Sequence, residues 1–356
     1  MKKIISFPRL GNYHIPLSCF LHQITKKQVI VPPKITLKTK NIGAKYSPDF
    51  VCAPFKYNLG NYIEALNEGA TVILQAGGGC RYGYYAELQE QILKDLGYNF
   101  EFENFIKNNH ISICKVYNFV KRTNPKINII KFIYHFIILS IKILTMDKIE
   151  NYVRLNKALI IDKKTLNNIE INYYKNLNTT KFIISTLIFN KKVYYKIKKL
   201  PKNNNSNNIK IALVGELYTL MESEANNQIE QFLINKGAII YRNTNLTYLM
   251  LTKKLKQKKL LKQGKEYITY QLGADGAESI VISKLSALSN YDGIIHVKSF
   301  GCTPEINAMP ILNKVSKDYN IPIMYLTFDM NTSDTGLITR LEAFYDMLEA
   351  KRNTKN

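Results

Sequence analysis

Tryptophan is absent, and acidic residues are scarce: 27 Asp and Glu face 50 Lys and Arg, a formal net charge of +23. Cysteine is sparse too, with Cys19, Cys52, Cys80, Cys114 and Cys302 in a chain of 356 residues. An odd, scattered set of this kind is no disulfide framework, and the expected compartment is a reducing cytoplasm. No Cys-x-x-Cys pair occurs, which argues against a structural zinc ribbon. The start, "MKKIISFPRLGNYH", has its apolar run broken by Pro8 and Arg9, too short for the core of a secretory signal. Long uninterrupted hydrophobic runs are missing as well. The most lipid-like stretch, Ile127 to Met146, is interrupted by Lys131, His135 and Lys142. It reads as a buried helix, and no membrane partner is expected. Zinc-finger spacing and the Lys/Arg-Gly-aromatic box of base-reading proteins are also lacking.

What is present is a globular composition, 46% hydrophobic and 22% charged, long enough for two domains with separate cores. The positive charge is uneven. Six lysines fall between Phe182 and Lys202, and seven between Leu251 and Lys265. A nucleic-acid or acidic-ligand surface is one reading of these runs. A solvated helix face is the other, and the general rule for charge runs favours it.

Local patterns divide the chain in three. Over residues 1–120, short apolar runs alternate with amphipathic stretches. "QVIVPP", "PDFVCAP" and "TVILQA" read as extended. "YNLGNYIEALNEG" and "YYAELQEQILKDLG" read as helices ended by Gly69 and Gly97. Residues 121–205 change to long helical periods, a helical insertion or lid closed by the polar linker "LPKNNNSNN". Over residues 206–356 the alternation returns. "KIALVGE", "AIIYR", "DGIIHVKSFG" and "IPIMYLTFD" read as strands. "ESEANNQIEQFLINKG", "TPEINAMPILNKVSKDYN" and "SDTGLITRLEAFYDMLEA" read as helices. The expected fold is α/β: two Rossmann- or flavodoxin-like parallel-sheet domains with a helical insertion between them.

Cys52, Cys80 and Cys302 share a setting. Each lies where an apolar run ends and a helix begins, the position where open α/β sheets bind ligands. Helix N-termini offer unpaired N–H groups and partial positive charge, which favour a thiolate, the metal-binding form. Gly78 and Gly79 before Cys80, and Gly301 before Cys302, remove side chains where a bulky inorganic core would approach. Three small buried residues is the plain alternative. Three thiolates from distant segments leave one metal position open, and an iron–sulfur cluster suits such convergence better than zinc. Cys19 and Cys114 lie in apolar-rich segments and read as core. Glu305, in the first turn after Cys302, is either an acid/base beside that centre or a complement to the helix dipole.

Long motifs go further. "YSPDFVCAPFKYNLGNYIEAL", "LQAGGGCRYGYYAELQEQILKDLGY", "GADGAESI" and "GIIHVKSFGCTPEINAMPIL" resemble the 2-hydroxyacyl-CoA dehydratase family, in its branch related to activases of CoA-substrate-specific enzymes. The resemblance runs from Gln28 to Gly97 and again from Ile209 to the C-terminus. It implies a [4Fe–4S] cluster held by Cys52, Cys80 and Cys302. It also implies an ATP-dependent iron–sulfur activator protein as partner, a second homologous subunit, and a CoA-thioester substrate. The implied activity is a lyase reaction in which a low-potential electron drives loss of a hydroxyl group. Two other readings stay open. One is a non-catalytic electron carrier or scaffold of an activator complex. The other, weaker, is a basic nucleic-acid-binding protein.

Overall fold

The computed structural model describes residues 3–75, 82–107, 110–203, 207–272, 276–330 and 334–354. The chain divides into two compact units, Met1–Leu144 with Asn172–Asn190, and Thr145–Ile171 with Lys191–Asn356. Residues 121–205 contribute to both.

In the first unit, β1 (Ile4–Ser6), β2 (Gln28–Val29), β3 (Val72–Gln75) and β4 (Glu101–Asn104) pair in parallel, in the order β2-β1-β3-β4. Parallel neighbours need crossovers. Here they are α1 (His14–Thr25), α2 (Leu37–Tyr46), α3 (Ala53–Asn67) and α4 (Tyr82–Asp95). Phe55, Leu59, Tyr62 and Ile63 of α3 pack with Ile73 of β3 and Leu93 of α4 in one core cluster. Gly69 and Gly97 follow α3 and α4 with φ of 96° and 84°, as the helix-ending pattern predicts. "PDFVCAP" differs from its expected extended form. Val51 N–H bonds Pro48 O, so the segment is a turn, with Phe50 exposed and Val51 buried.

A small hairpin, β5 (Ile106–Lys107) and β6 (His110–Ile111), precedes the helices α5 (Ile113–Thr123), α6 (Ile129–Asn156), α7 (Lys163–Leu177) and α8 (Ile183–Lys198). The stretch expected to be a buried helix is α6, but it is buried on one face only. Phe132, Ile138, Leu139 and Ile143 are inside, whereas Ile130, Ile133 and Ile137 are exposed. Long apolar helices read as buried from composition alone, because composition does not say how many faces find partners.

The second unit repeats the first topology. β7 (Lys210–Gly215), β8 (Ile239–Arg242), β9 (Gly293–Ser299) and β10 (Ile323–Phe328) form a parallel sheet in the order β10-β9-β7-β8. Counted within its own unit, each sheet has the order 2-1-3-4, the flavodoxin-like arrangement. The connections are α9 (Leu217–Met221), α10 (Ile229–Asn235), α11 (Lys253–Gln263), α12 (Gly276–Leu288) and α13 (Thr303–Tyr319), and α14 (Asp334–Asn353) closes the unit. The helix expected over "ESEANNQIEQFLINKG" is broken. Asn227 and Gln228 take left-handed φ of 53° and 57°, and Asn226 uses its side chain on Thr219 O and Ile229 N–H. Asparagine side chains compete with the helical ladder in this way.

Candidate functional site

In the second unit, β7 and β9 are neighbours whose chains continue to opposite edges of the sheet. The crevice outside their carboxyl ends is the switch point where such sheets bind ligands. β7 ends at Gly215, whose φ is 136°. Glu216 follows and donates its N–H to Val297 O. Its carboxylate caps α9 by accepting from the N–H groups of Tyr218 and Thr219 at 2.8 and 2.9 Å. Burial pushes the Glu216 carboxyl up, the Thr219 and Tyr218 donors pull it down, and the nearby Glu305 adds to the rise. A small pocket between the ends of β7 and β8 is lined by Gly215, Asn243, Thr244, Glu278 and Ser279.

β9 ends at Ser299, and Phe300 and Gly301 turn the chain toward α13, with Gly301 at φ 77°. Cys302 N–H bonds Ser299 O at 3.2 Å, and Cys302 stands at the N-cap of α13. Its side chain makes no capping bond, and Pro304 is in the first turn. Burial holds the Lys298 amine below its ordinary range, while the charges of Cys302 and Glu305 pull it back up.

Glu305 turns inward. It is 1% exposed, with Oε2 2.8 Å from His296 Nε2 and 2.9 Å from the donating Ser279 Oγ. The carboxylate thus ties the first turn of α13 to β9 and α12. His296 Nδ1 and Ser299 Oγ are buried without a hydrogen-bond partner among the described residues. Sequence reading singled out Glu305 but not this network. Ser279 and Glu305 lie 26 positions apart, and no periodicity links them.

In the first unit, Cys52 occupies the N-cap of α3, also without a side-chain capping bond and with Pro54 in the first turn. Gly78, Gly79 and Cys80 lie outside the described residues. The strand that leads to them is anchored by a buried polar chain. Tyr62 OH and Gln89 bond the Gln75 side chain, and Gln89 Nε2 donates to Phe55 O in the first turn of α3. Burial raises the Tyr62 phenol above its ordinary range. The chain from Tyr62 through Gln75 to Gln89 was not legible in the sequence, where two glutamines in apolar-flanked segments carry no pattern.

The repeated topology makes these cysteines comparable. Cys80 comes after β3 as Cys302 comes after β9, each third in its sheet's chain order. Cys52 opens the helix before β3, where the second unit places Gly276 at the start of α12. Among the described residues, no three His, Cys, Asp or Glu side chains gather as a metal-ligating group. The other two cysteines depart from the core expectation. Cys114 is exposed, because α5 buries Phe119, Val120 and Thr123 on another face, and Cys19 is half-buried, with Lys142 Nζ 3.8 Å from its sulfur.

Fold and crevice define an α/β protein built on two flavodoxin-like sheets, with a cysteine at a helix start in each unit: Cys302 follows strand β9, whereas Cys52 follows the turn at Pro48 to Val51 and not the strand end that the sequence suggests. Residues 278–348 match the family described as 2-hydroxyglutaryl-CoA dehydratase, D-component. The matched segment runs from α12 into α14 and contains Gly301, Cys302 and Glu305. The match lies within the second unit and covers about a fifth of the chain, and over that segment the chain is similar to this dehydratase family. No curated protein matches the chain.

Proposed function

We propose that the protein is a 2-hydroxyacyl-CoA dehydratase-type subunit in which Cys52, Cys80 and Cys302 hold one [4Fe–4S] cluster, reduced by an ATP-dependent iron–sulfur activator. One observation carries the reading. Cys52-Ala53-Pro54 and Cys302-Thr303-Pro304 start α3 and α13 in the same way, with each sulfur at the N-cap and not used as the cap. First-turn N–H groups and the helix dipole favour the thiolate there. The donor set is soft and anionic and fits iron–sulfur ligation. When bound, such a cluster supplies one-electron transfer and an open iron position for a CoA thioester.

The chain's own residues support this by positioning. Glu305 holds the first turn of α13 to His296 and Ser279, so Cys302 projects from a fixed base. Gly301 makes the left-handed turn that brings the backbone from β9 to α13. Gln89 links β3 to the first turn of α3 and so steadies the approach to Cys52.

Iron and sulfide analysis with EPR on anaerobically purified protein tests the proposal. Bound iron is expected, and Cys52→Ser and Cys302→Ser are each expected to lose it. Iron-free wild-type protein, or variants that keep iron and colour, would overturn it. Turnover of a 2-hydroxyacyl-CoA with an activator then separates catalysis from an electron-carrier role.

A further inference from the structure

We propose that the exposed face of α6 in the first unit docks on an anionic lipid surface. Ile130, Ile133, Tyr134, Ile137 and Leu144 are all exposed, with Ile130 at 74% and Ile133 at 49%. Their spacing of i, i+3, i+4, i+7 and i+14 places them on one helix face. The stripe runs about 21 Å at 1.5 Å per residue. A monomeric protein in water rarely leaves a contiguous aliphatic stripe uncovered.

α6 is long and apolar enough by composition to cross a membrane, with a mean hydropathy of 1.8 in its best window. Its other face argues for lying on a surface. Phe132 packs against Phe20 and Tyr117, and Phe136 against Phe20. Lys142 is 1% exposed, turned inward to Cys19. A helix with one face packed in protein and one bare offers a single apolar side, the geometry of an interfacial helix.

Charge selects the occupant. Between Glu103 and Asp147 the sequence has no acidic residue and seven basic ones, of which Lys142 is buried and Arg122 pairs with Glu103. Lys131, in the first turn of α6, and Lys126, in the turn that precedes it, are exposed near the start of the stripe. Lysines flanking aliphatic side chains match anionic headgroups over hydrocarbon. A second copy of the chain would set this basic surface against itself. A nucleic acid would look for aromatic platforms, and the stripe has one tyrosine among four aliphatic residues. The inference stands apart from the cluster proposal, since neither Cys52 nor Cys302 takes part.

Vesicle flotation of the full chain tests it. Binding is expected to vesicles of phosphatidylcholine with phosphatidylglycerol and not to phosphatidylcholine alone, and it should weaken as salt screens the lysines. Replacing two inserted side chains together, Ile133→Asn with Ile137→Asn, should weaken vesicle binding roughly tenfold or more. Circular dichroism reports whether that variant is folded. Should it not fold, Lys126→Gln with Lys131→Gln decides, and loss of the preference for phosphatidylglycerol is expected. No flotation by wild type, unchanged binding in the folded variants, or a concentration-dependent dimer that the isoleucine variant dissociates would each overturn the proposal.

Discussion

Gly215 shows how one residue can set the floor of the crevice. A Cβ there would lie 1.8 Å from Val297 O on the neighbouring strand, and its φ of 136° strains any side-chain-bearing residue. Backbone strain and overlap with a central strand act together. Gly215→Ala should cost at least about 2 kcal/mol, read as a lower urea midpoint with unchanged slope. An unchanged midpoint would mean that β7 and β9 separate freely at this point. Gly215 was legible only as the end of "KIALVGE", a glycine turn. Its tight approach to Val297 depends on β7 pairing with a strand some eighty positions later. Glu305 teaches the same lesson. Its place in the first helical turn was readable, but its inward bonds to His296 and Ser279 required β9 and α12 to be adjacent.

At the scale of elements, α6, α10 and β8 meet at a buried charge cluster. Glu230 of α10 accepts from Arg154 of α6 at 2.9 Å and from Arg242 of β8 at 2.6 Å. Burial pushes the Glu230 carboxyl up, but the two guanidinium groups outweigh it and hold it below its ordinary value of 4.5. The sign of the pH effect follows. The unfolded carboxyl protonates first on acidification, so this stability is complete above pH 4.5 and is lost as pH falls through the lower folded value. Glu230→Gln should lose about 3 kcal/mol at neutral pH by removing the carboxylate charge that the two buried guanidinium groups share. It should also flatten the acid limb of the stability profile in urea titrations from neutral pH downward, and an equally steep limb would refute the assignment. Exceptions to the periodicity include the broken helix before α10, the turn at Pro48 to Val51, and "YVRLNKALIIDKKTL", whose long helical period is interrupted between α6 and α7 where Ile160 forms a bridge with Lys202.

At the scale of the molecule, a net charge of +23 works against the compact state through self-repulsion. Added sodium chloride should therefore raise the unfolding temperature in thermal scans, and a falling midpoint would show that attractive pairs dominate instead. The sequence by itself determined the α/β class and the position of Cys302 between a strand and a helix. Both follow from local rules: hydrophobic period, glycine stops and proline in the first helical turn. It also carried the family signature over residues 278–348. Only the tertiary structure decided that the two sheets share one strand order, that Glu305 faces inward, and that α6 keeps a bare aliphatic face. Each of these depends on which distant segments become neighbours. Strand pairing and helix packing are contacts between positions far apart in the chain, and no local pattern encodes the partner.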